Sequence, residues 1–216
     1  VRLDGSVIDV EVCIVNSTFK GAPAVQMLFK DITERKEVEQ KLKQMALYDT
    51  LTGLPNRTLF FDRMNQLLEL AKRNQYILAV LYVDLDRFKT INDTFGHEVG
   101  DLVLITSGQR MLSSTRRSDT VARIGGDEFI GICARITAAE DAAVVAQKLI
   151  TSLTEPIRIK GYECSIGASI GISIYPLDGS DVETLVNKAD AAMYRIKEKG
   201  KGGFEFFSDI EKAPAS

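Results

Sequence analysis

The chain has 216 residues, of which 45% are hydrophobic and 26% are charged, and its formal net charge at pH 7 is −3. This length and composition are those of an ordinary globular domain with one sizeable core and room for a small additional segment. The slightly acidic balance provides no positive field for a long nucleic-acid backbone, so we expect no polynucleotide partner. A few local cations and a metal ion could still hold a nucleotide.

The cysteines and the apolar stretches bear on the cellular compartment. Cys13, Cys133 and Cys164 are widely separated and lack the spacing of a disulfide framework or a zinc site, so we expect a reducing, cytoplasmic compartment. No apolar stretch approaches the roughly 20 residues that cross a bilayer, so we expect no membrane contact within this chain. Because the sequence starts at Val1 within a strand-like pattern, we expect it to be part of a longer protein that could carry an anchor elsewhere.

The first predicted elements are two β-strands and a charged helix. Apolar residues at about every second position predict strands over Val7–Val15 and Ala24–Phe29, with a polar turn near residues 20–21. From Asp31 to Tyr48 the sequence is rich in Glu, Lys, Gln and Arg, and apolar residues recur at helical spacing at Val38, Leu42 and Met45. This helix is either a solvated connector or a short dimeric coiled coil, because it carries little more than one heptad.

The main globular part is predicted to follow this helix. Thr58–Asn74 has the pattern of an amphipathic helix, and the apolar run Tyr76–Val83 fits a buried strand that ends at Asp84 and Asp86. The later predicted elements are a helix at Leu102–Leu112, a hairpin of Thr120–Ile124 and Glu128–Cys133, a helix at Ala138–Leu153, strands at Ile157–Ile159 and Tyr162–Tyr175, a helix at Val182–Lys199 and a strand at Phe204–Phe207. This mixture predicts an α+β fold with helices packed on a largely antiparallel sheet.

Acidic residues occur at two points of this predicted fold. Asp84 and Asp86 follow the buried strand, and Asp127 and Glu128 follow the Gly125–Gly126 turn of the hairpin. Neighbouring strands could direct these carboxylates at one point, which would suit a hard divalent cation such as Mg²⁺. In the alternative interpretation the glycine pair is an ordinary hairpin tip and the two acidic segments are unrelated in space.

Four longer motifs resemble those of a known family. RRSDTVARIGGDEF at residues 116–129 resembles the signature of GGDEF-family diguanylate cyclases. The family's opening motif, its metal and guanine segment and its closing helix resemble DTLTGLPNR at 49–57, VDLDRFKTINDTFGHEVGD at 83–101 and KADAAMYRIKEK at 188–199. The resemblance implies a nucleotide-cyclase or polymerase-palm-like (ferredoxin-like) version of the α+β fold, with a mainly antiparallel sheet flanked by helices.

The same resemblance implies an activity. Members of this family condense two GTP molecules into cyclic di-GMP and two pyrophosphates, one GTP coming from each subunit of a homodimer. The implied metal ligands are Asp84, the backbone carbonyl of Leu85, Asp127 and Glu128, with Mg²⁺ as the cofactor and Mn²⁺ as the alternative. The implied catalytic residues are Asp127, which would activate the attacking 3′-hydroxyl, Glu128, and Lys89, which would neutralise developing phosphate charge.

Substrate-binding residues are implied position by position. Asn92 and Asp101 match the residues that read the guanine edge, for which an amide and a carboxylate are well suited. His97 lies in the same segment, and its alternative role is structural. The implied phosphate contacts are the main-chain N–H groups of Arg87 and Phe88, the close backbone approach of Gly125 and Gly126, and the side chains of Lys197 and Lys201. Lys89 and Lys197 could instead be solvated surface lysines.

Two further features concern regulation and departure from the family. Arg116 and Asp119 form the RxxD pattern of product-inhibited members, in which an arginine fork binds cyclic di-GMP; the alternative is a salt bridge at a helix end. Where the family usually has Gly-Arg-Asn, this chain has Gly200, Lys201 and Gly202. Lysine keeps the positive charge but loses the bidentate fork.

The implied organisation has four parts. Residues 1–33 resemble the C-terminal part of a PAS sensor domain, through an LDGS turn and a closing FKDITERK, and their strand edges could pair with a second copy. Residues 34–48 would be a signalling linker helix, 49–208 the diguanylate cyclase domain and 209–216 a tail.

Two other functions remain open at this point. One is a weakly active or inactive GGDEF domain that binds GTP or cyclic di-GMP to regulate another domain, such as a C-terminal phosphodiesterase domain. The other is an adenylate cyclase or polymerase-like enzyme, which shares the metal chemistry but prefers another base or requires a template.

Overall fold

The computed structural model describes Gly5 and residues 7–212, and the chain divides into two compact units at residues 46 and 47. The first unit contains β1 (Val10–Phe19) and β2 (Ala22–Asp31), which pair antiparallel along their full length. Helix α1 (Thr33–Leu47) follows, and none of its residues is buried. The predicted LDGS turn lies largely outside the described residues, so the PAS resemblance stays a prediction.

The second unit contains the remaining elements. In chain order they are α2 (Arg57–Asn74), β3 (Ile77–Asp86), α3 (Phe88–Phe95), α4 (His97–Ser114), β4 (Thr120–Gly125), β5 (Glu128–Ile136), α5 (Ala139–Thr154), β6 (Ile157–Ile159), β7 (Tyr162–Cys164), β8 (Gly167–Tyr175), α6 (Val182–Glu198), β9 (Gly203–Phe206) and α7 (Phe207–Lys212). Among the residues that the structure describes, no helix combines the length and apolar character that crossing a membrane requires.

A five-stranded sheet in the order β4-β5-β3-β8-β9 forms the centre of the second unit. All its pairings are antiparallel except that of β8 with β9. Strand β3 lies in the middle and is buried almost throughout, which explains its nearly continuous apolar sequence. The predicted α+β fold, with a mainly antiparallel sheet flanked by helices, is confirmed.

The sheet separates two apolar clusters, and alternate residues of β3 belong to each. Ala79, Leu81, Val83 and Leu85 pack in the larger cluster, which includes residues of α4 and α5. Leu78, Val80 and Tyr82 pack in the other cluster with residues of α2 and α6, among them Phe60, Met64, Leu185 and Ala189. Because side chains alternate along a strand, Asp84 and Asp86 continue the face that carries α2 and α6.

Several predicted boundaries were wrong. Strand β3 does not end before the acidic residues but continues through Asp86, because β8 pairs with it to that point. The predicted strand over residues 162–175 is interrupted at residues 165–166, and its first part pairs with β6 in a separate small hairpin. Helix α3 was not predicted, because it is short and only Phe88 and Ile91 of its residues are buried.

Candidate active site

The acidic residues of the two segments lie side by side at one end of the sheet. In the strand register Asp84 of β3 is directly opposite Glu128 of β5 and also opposite Ser169 of β8. The Leu85 N–H donates a hydrogen bond to the Asp127 carbonyl oxygen at 3.2 Å, which ties the glycine turn to β3. Asp84 is buried, whereas Asp127 and Glu128 are partly exposed. The acidic segments are therefore neighbours in space.

Lys197 of α6 forms an ion pair with the buried Asp84. The Lys197 Nζ atom lies 2.6 Å from Asp84 Oδ2, and the Asp84 side chain is only 7% exposed. Burial raises the pKa of Asp84, and the negative charges of Asp127 and Asp86 add to this, while Lys197 opposes it. The pKa of Asp84 remains above its ordinary value, so one ammonium group does not fully offset the cost of the buried negative charge.

The donor set fits a divalent cation that binds together with phosphates. Within residues 7–212 no group of three or more His, Cys, Asp or Glu side chains is already arranged around a metal position. Asp84 and Glu128 nevertheless supply hard carboxylate oxygens from paired strands, with Asp127 beside them. Mg²⁺ usually binds through one or two carboxylates and substrate phosphates rather than through an all-protein cage, so these residues suit it.

Asp86 has a different environment from Asp84. Its two carboxylate oxygens accept hydrogen bonds from Ser169 Oγ at 2.9 Å and from the Gly202 N–H at 3.1 Å. Asp86 therefore joins β3 to β8 and to the loop before β9. Of the carboxylates predicted to be directed at one point by the two strands, that of Asp86 is therefore engaged by hydrogen bonds within the fold.

Arg123 connects the glycine turn to the segment that opens the second unit. Its Nε and NH2 groups donate to the Gly126 carbonyl oxygen at 3.0 and 2.8 Å, and its NH1 group lies 3.0 and 3.1 Å from the two carboxylate oxygens of Asp49. Burial alone would raise the pKa of Asp49, but hydrogen bonds from Thr52 and the Arg123 charge hold it below its usual value. The Arg123 side chain thus holds the turn in place through the Gly126 carbonyl group.

The glycine turn is open on its outer side. Gly126 has a φ angle of 53°, in the region that favours glycine, and a Cβ atom on either Gly125 or Gly126 would meet no protein atom within 4 Å. The turn therefore exposes main chain next to the carboxylates, where a ligand could approach it closely.

The predicted guanine-binding residues lie on α3 and α4. Asn92 is partly buried on α3, and its side chain occupies the space next to Gly100, where a Cβ atom would collide with Asn92 Oδ1. Asp101 follows Gly100 directly and is exposed, as is His97 at the start of α4. Gly100 therefore allows the Asn92 amide to lie close to the helix turn that carries Asp101.

Two of the predicted phosphate-binding residues, Arg87 and Lys201, lie on loops. Arg87 and Lys201 both have positive φ angles, 64° and 68°, and both line a cleft of about 260 Å³ together with Gly167, Gly200 and Gly202. Arg87 immediately precedes α3, and no side chain caps the first N–H groups of that helix, which begins at Phe88. Lys89 is exposed in the first turn of α3.

Arg116 and Asp119 form a local turn before β4. Asp119 accepts hydrogen bonds from the main-chain N–H groups of Arg116 at 2.9 Å and Ala134 at 3.3 Å. The Arg116 side chain is exposed, and beside it Arg117, Asp119 and Arg63 of α2 contribute to a cleft of about 310 Å³. The turn therefore holds Asp119 in place.

Comparison with known proteins identifies the family. Residues 46–203 match the family model described as diguanylate cyclase, GGDEF domain. The chain belongs to the GGDEF family. It is 44% identical over 185 residues to the bifunctional diguanylate cyclase/cyclic di-GMP phosphodiesterase MucR of Pseudomonas aeruginosa, covering 85% of this chain and 27% of MucR. It is 41% identical over 162 residues to the diguanylate cyclase TpbB of the same species, covering 74% of this chain and 37% of TpbB.

Solved structures of GGDEF domains have the same fold. The crystal structure of the GGDEF domain of TpbB from Pseudomonas aeruginosa has a TM-score of 0.71 and 40% identity, covering 72% of this chain and 97% of that one. The GGDEF domain of DgcB from Caulobacter crescentus, in complex with c-di-GMP, has a TM-score of 0.70 and 26% identity, covering 76% and 96%. The chain thus spans nearly the whole of these solved domains, but only about a quarter to a third of the curated relatives MucR and TpbB.

Sequence reasoning missed three residues that contact the predicted site residues. Tyr82 lies two residues before Asp84 and donates a hydrogen bond to Glu128 at 3.3 Å. Arg123 and Gly100 lie inside the quoted motifs, but nothing in a single sequence showed their partners. The one available signal was chemical, since a phenol and a guanidinium in otherwise apolar segments need polar partners.

Proposed function

We propose that this chain is the catalytic domain of a diguanylate cyclase that condenses two GTP molecules into cyclic di-GMP and two pyrophosphates. The observation that supports this most is the meeting of Asp84, Asp127 and Glu128 beside an open glycine turn, in a domain of the GGDEF family. The desolvated and only partly neutralised negative charge at Asp84 suits a divalent cation and the triphosphate it accompanies.

The metal would be held by Asp84, the Leu85 carbonyl oxygen, Asp127 and Glu128, with Mg²⁺ as the cofactor and Mn²⁺ as the alternative. When bound, the ion supplies positive charge at the α-phosphate and at the leaving pyrophosphate. Asp127 accepts the proton of the attacking 3′-hydroxyl. The 3′-oxygen then bonds to the α-phosphorus of the other GTP as the bond to pyrophosphate breaks, and Lys89 offsets the growing negative charge.

The GTP base and phosphates would bind to separate groups of residues. Asn92 and Asp101 hydrogen-bond to the guanine edge, with His97 nearby. The phosphates bind to the main-chain N–H groups of Arg87 and Phe88, to the backbone of Gly125 and Gly126, and to Lys197 and Lys201. Lys197 would exchange its Asp84 partner for a phosphate when the cation takes over that carboxylate.

Catalysis would require two copies of the chain. One site holds one GTP, so a homodimer brings the 3′-hydroxyl of one molecule to the α-phosphate of the other and removes an entropic cost. Cyclic di-GMP would inhibit by binding to Arg116 and Asp119. The GTP requirement is consistent with a cytoplasmic domain. Residues 1–33 would be the C-terminal part of a PAS sensor domain, and residues 34–48 would be the linker helix between it and the cyclase domain.

The deciding experiment measures cyclic di-GMP made from GTP by the purified chain with Mg²⁺, by liquid chromatography and mass spectrometry. The matched control is Asp84→Asn, which removes one carboxylate charge at the site. We expect product from the parent chain and none from the control. A folded dimer that forms no product at any Mg²⁺ or Mn²⁺ concentration, after bound product has been removed, would contradict the proposal.

A second candidate is a weakly active domain that binds GTP or cyclic di-GMP and regulates another domain. Lys201 favours it, because lysine cannot make the bidentate phosphate contact of the arginine usual in the family. GTP binding without turnover in the same assay would indicate this function.

A further inference from the structure

Strand β3 carries a buried phenol among aliphatic side chains. On the face that packs against α2 and α6, Tyr82 follows Leu78 and Val80 and precedes Asp84. Tyr82 is 9% exposed, so its hydroxyl group has little access to water. A buried tyrosine hydroxyl usually has a hydrogen-bond partner, since an unpaired one is costly.

The partner of Tyr82 is Glu128. The Tyr82 hydroxyl donates to Glu128 Oε2 at 3.3 Å, and the strand register explains why they meet. Tyr82 is opposite Ile130 and Asp84 is opposite Glu128, so Tyr82 and Glu128 are diagonal neighbours on one face of the sheet. The phenol hydroxyl supplies the donor of this contact and a carboxylate oxygen of Glu128 supplies the acceptor.

This contact restricts a side chain at the start of a strand. Glu128 is the first residue of β5 and is only partly buried. A hydrogen bond to one carboxylate oxygen limits rotation about the side-chain bonds and leaves the other oxygen available. Partners of this kind orient metal-binding carboxylates in other proteins.

We propose that Tyr82 is a positioning residue, whose hydroxyl holds the Glu128 carboxylate in the orientation in which it binds a divalent cation opposite Asp84. This inference rests on the proposed function, because it takes Glu128 as a metal ligand. It adds a residue for which neither the GGDEF motif nor the carboxylate pattern had assigned any function.

Tyr76 provides a matched control. It packs against the same apolar cluster as Tyr82, and its hydroxyl oxygen is buried without a hydrogen-bond partner in the part of the chain that the structure describes. Tyr76→Phe therefore removes a hydroxyl group from the same core without affecting Glu128. Both variants keep the aromatic ring, so neither creates a cavity.

The experiment measures Mn²⁺ binding by electron paramagnetic resonance, on the full chain, without nucleotide and with a non-hydrolysable GTP analogue. We expect Tyr82→Phe to bind Mn²⁺ about tenfold more weakly and Tyr76→Phe to bind it as the parent does. In the cyclase assay, Tyr82→Phe should raise the Mg²⁺ concentration for half-maximal activity by about the same factor. The rate at saturating Mg²⁺ should fall less than this.

A double-mutant cycle tests whether the effect passes through Glu128. In a Glu128→Gln background, loss of the Tyr82 hydroxyl should have no further effect on Mn²⁺ binding. Equal or tighter Mn²⁺ binding by Tyr82→Phe, or an additive effect in the Glu128→Gln background, would overturn the inference. If the parent chain binds Mn²⁺ but makes no cyclic di-GMP, the proposed function fails while the Mn²⁺ comparison still tests Tyr82.

Discussion

Replacing Lys197 by methionine tests the electrostatics of the site most directly. The change keeps most of the apolar stem and removes the ammonium group that lies 2.6 Å from Asp84 Oδ2. Removing one partner of a fully buried ion pair costs about 3–5 kcal/mol, whereas exposed pairs contribute about 0–1 kcal/mol. Asp84 is 7% exposed and Lys197 is 30% exposed, which places this pair between those limits. We therefore expect Lys197→Met to lower the free energy of unfolding by about 2 kcal/mol at neutral pH.

The stability that Lys197→Met loses should depend on pH in a defined direction. Burial raises the pKa of Asp84 in the folded chain above its ordinary value, so Asp84 itself favours folding at low pH, and this contribution is lost as the pH rises through its folded pKa. Lys197 offsets the resulting buried charge only when Asp84 is ionised. The effect of Lys197→Met should therefore be full at neutral pH and should shrink as the pH falls through the Asp84 pKa.

Urea denaturation followed by circular dichroism measures this effect at neutral pH and near the ordinary Asp pKa of about 4. The matched control is Arg158→Met, because Arg158 pairs with Glu163 between β6 and β7 and both side chains are largely exposed, 85% and 56%. We expect the control to change the free energy of unfolding by less than about 1 kcal/mol. Equal urea midpoints for Lys197→Met and the control at neutral pH, or a loss that does not change with pH, would refute this reasoning.

Three further substitutions test other contacts of the site. Arg123→Gln releases the Gly126 carbonyl oxygen and should lower kcat about tenfold with little change in KM. Adding Asp49→Asn should lower kcat little further, and additive losses would contradict the coupling of Arg123 with Asp49. Gly100→Ala displaces the Asn92 side chain and should raise the KM for GTP about tenfold in steady-state kinetics, so an unchanged KM would exclude this role. Arg116→Ala should weaken inhibition by added cyclic di-GMP by at least about tenfold, and retained inhibition would place the product elsewhere.

The fold was largely predictable because apolar periodicity is a local property of the sequence. The apolar run of β3 and the amphipathic patterns of α2, α5 and α6 each correspond to an element of the structure. The errors in the predicted elements occurred where residues distant in the sequence determine the local structure. Strand β3 continues through Asp86 because β8 supplies its backbone partners, and α3 forms although only Phe88 and Ile91 of its residues are buried.

The candidate site was likewise predictable in part from the sequence. The ordered motifs by themselves determined the family and the residue types, including Asp84, Asp127 and Glu128, because such long patterns are specific. Only the tertiary structure decided that Asp84 pairs with Lys197 and that Asp86 binds Ser169.

The remaining contacts depend on strand register and helix packing over long sequence separations. Arg123 reaches Asp49 across 74 residues, and Tyr82 reaches Glu128 across 46. Strand alternation fixed the face on which each side chain lies, but only the pairing of β3 with β5 decided which residues on that face meet. The sequence by itself therefore determined which residue types this chain carries for its chemistry. The tertiary structure decided which other side chains contact those residues.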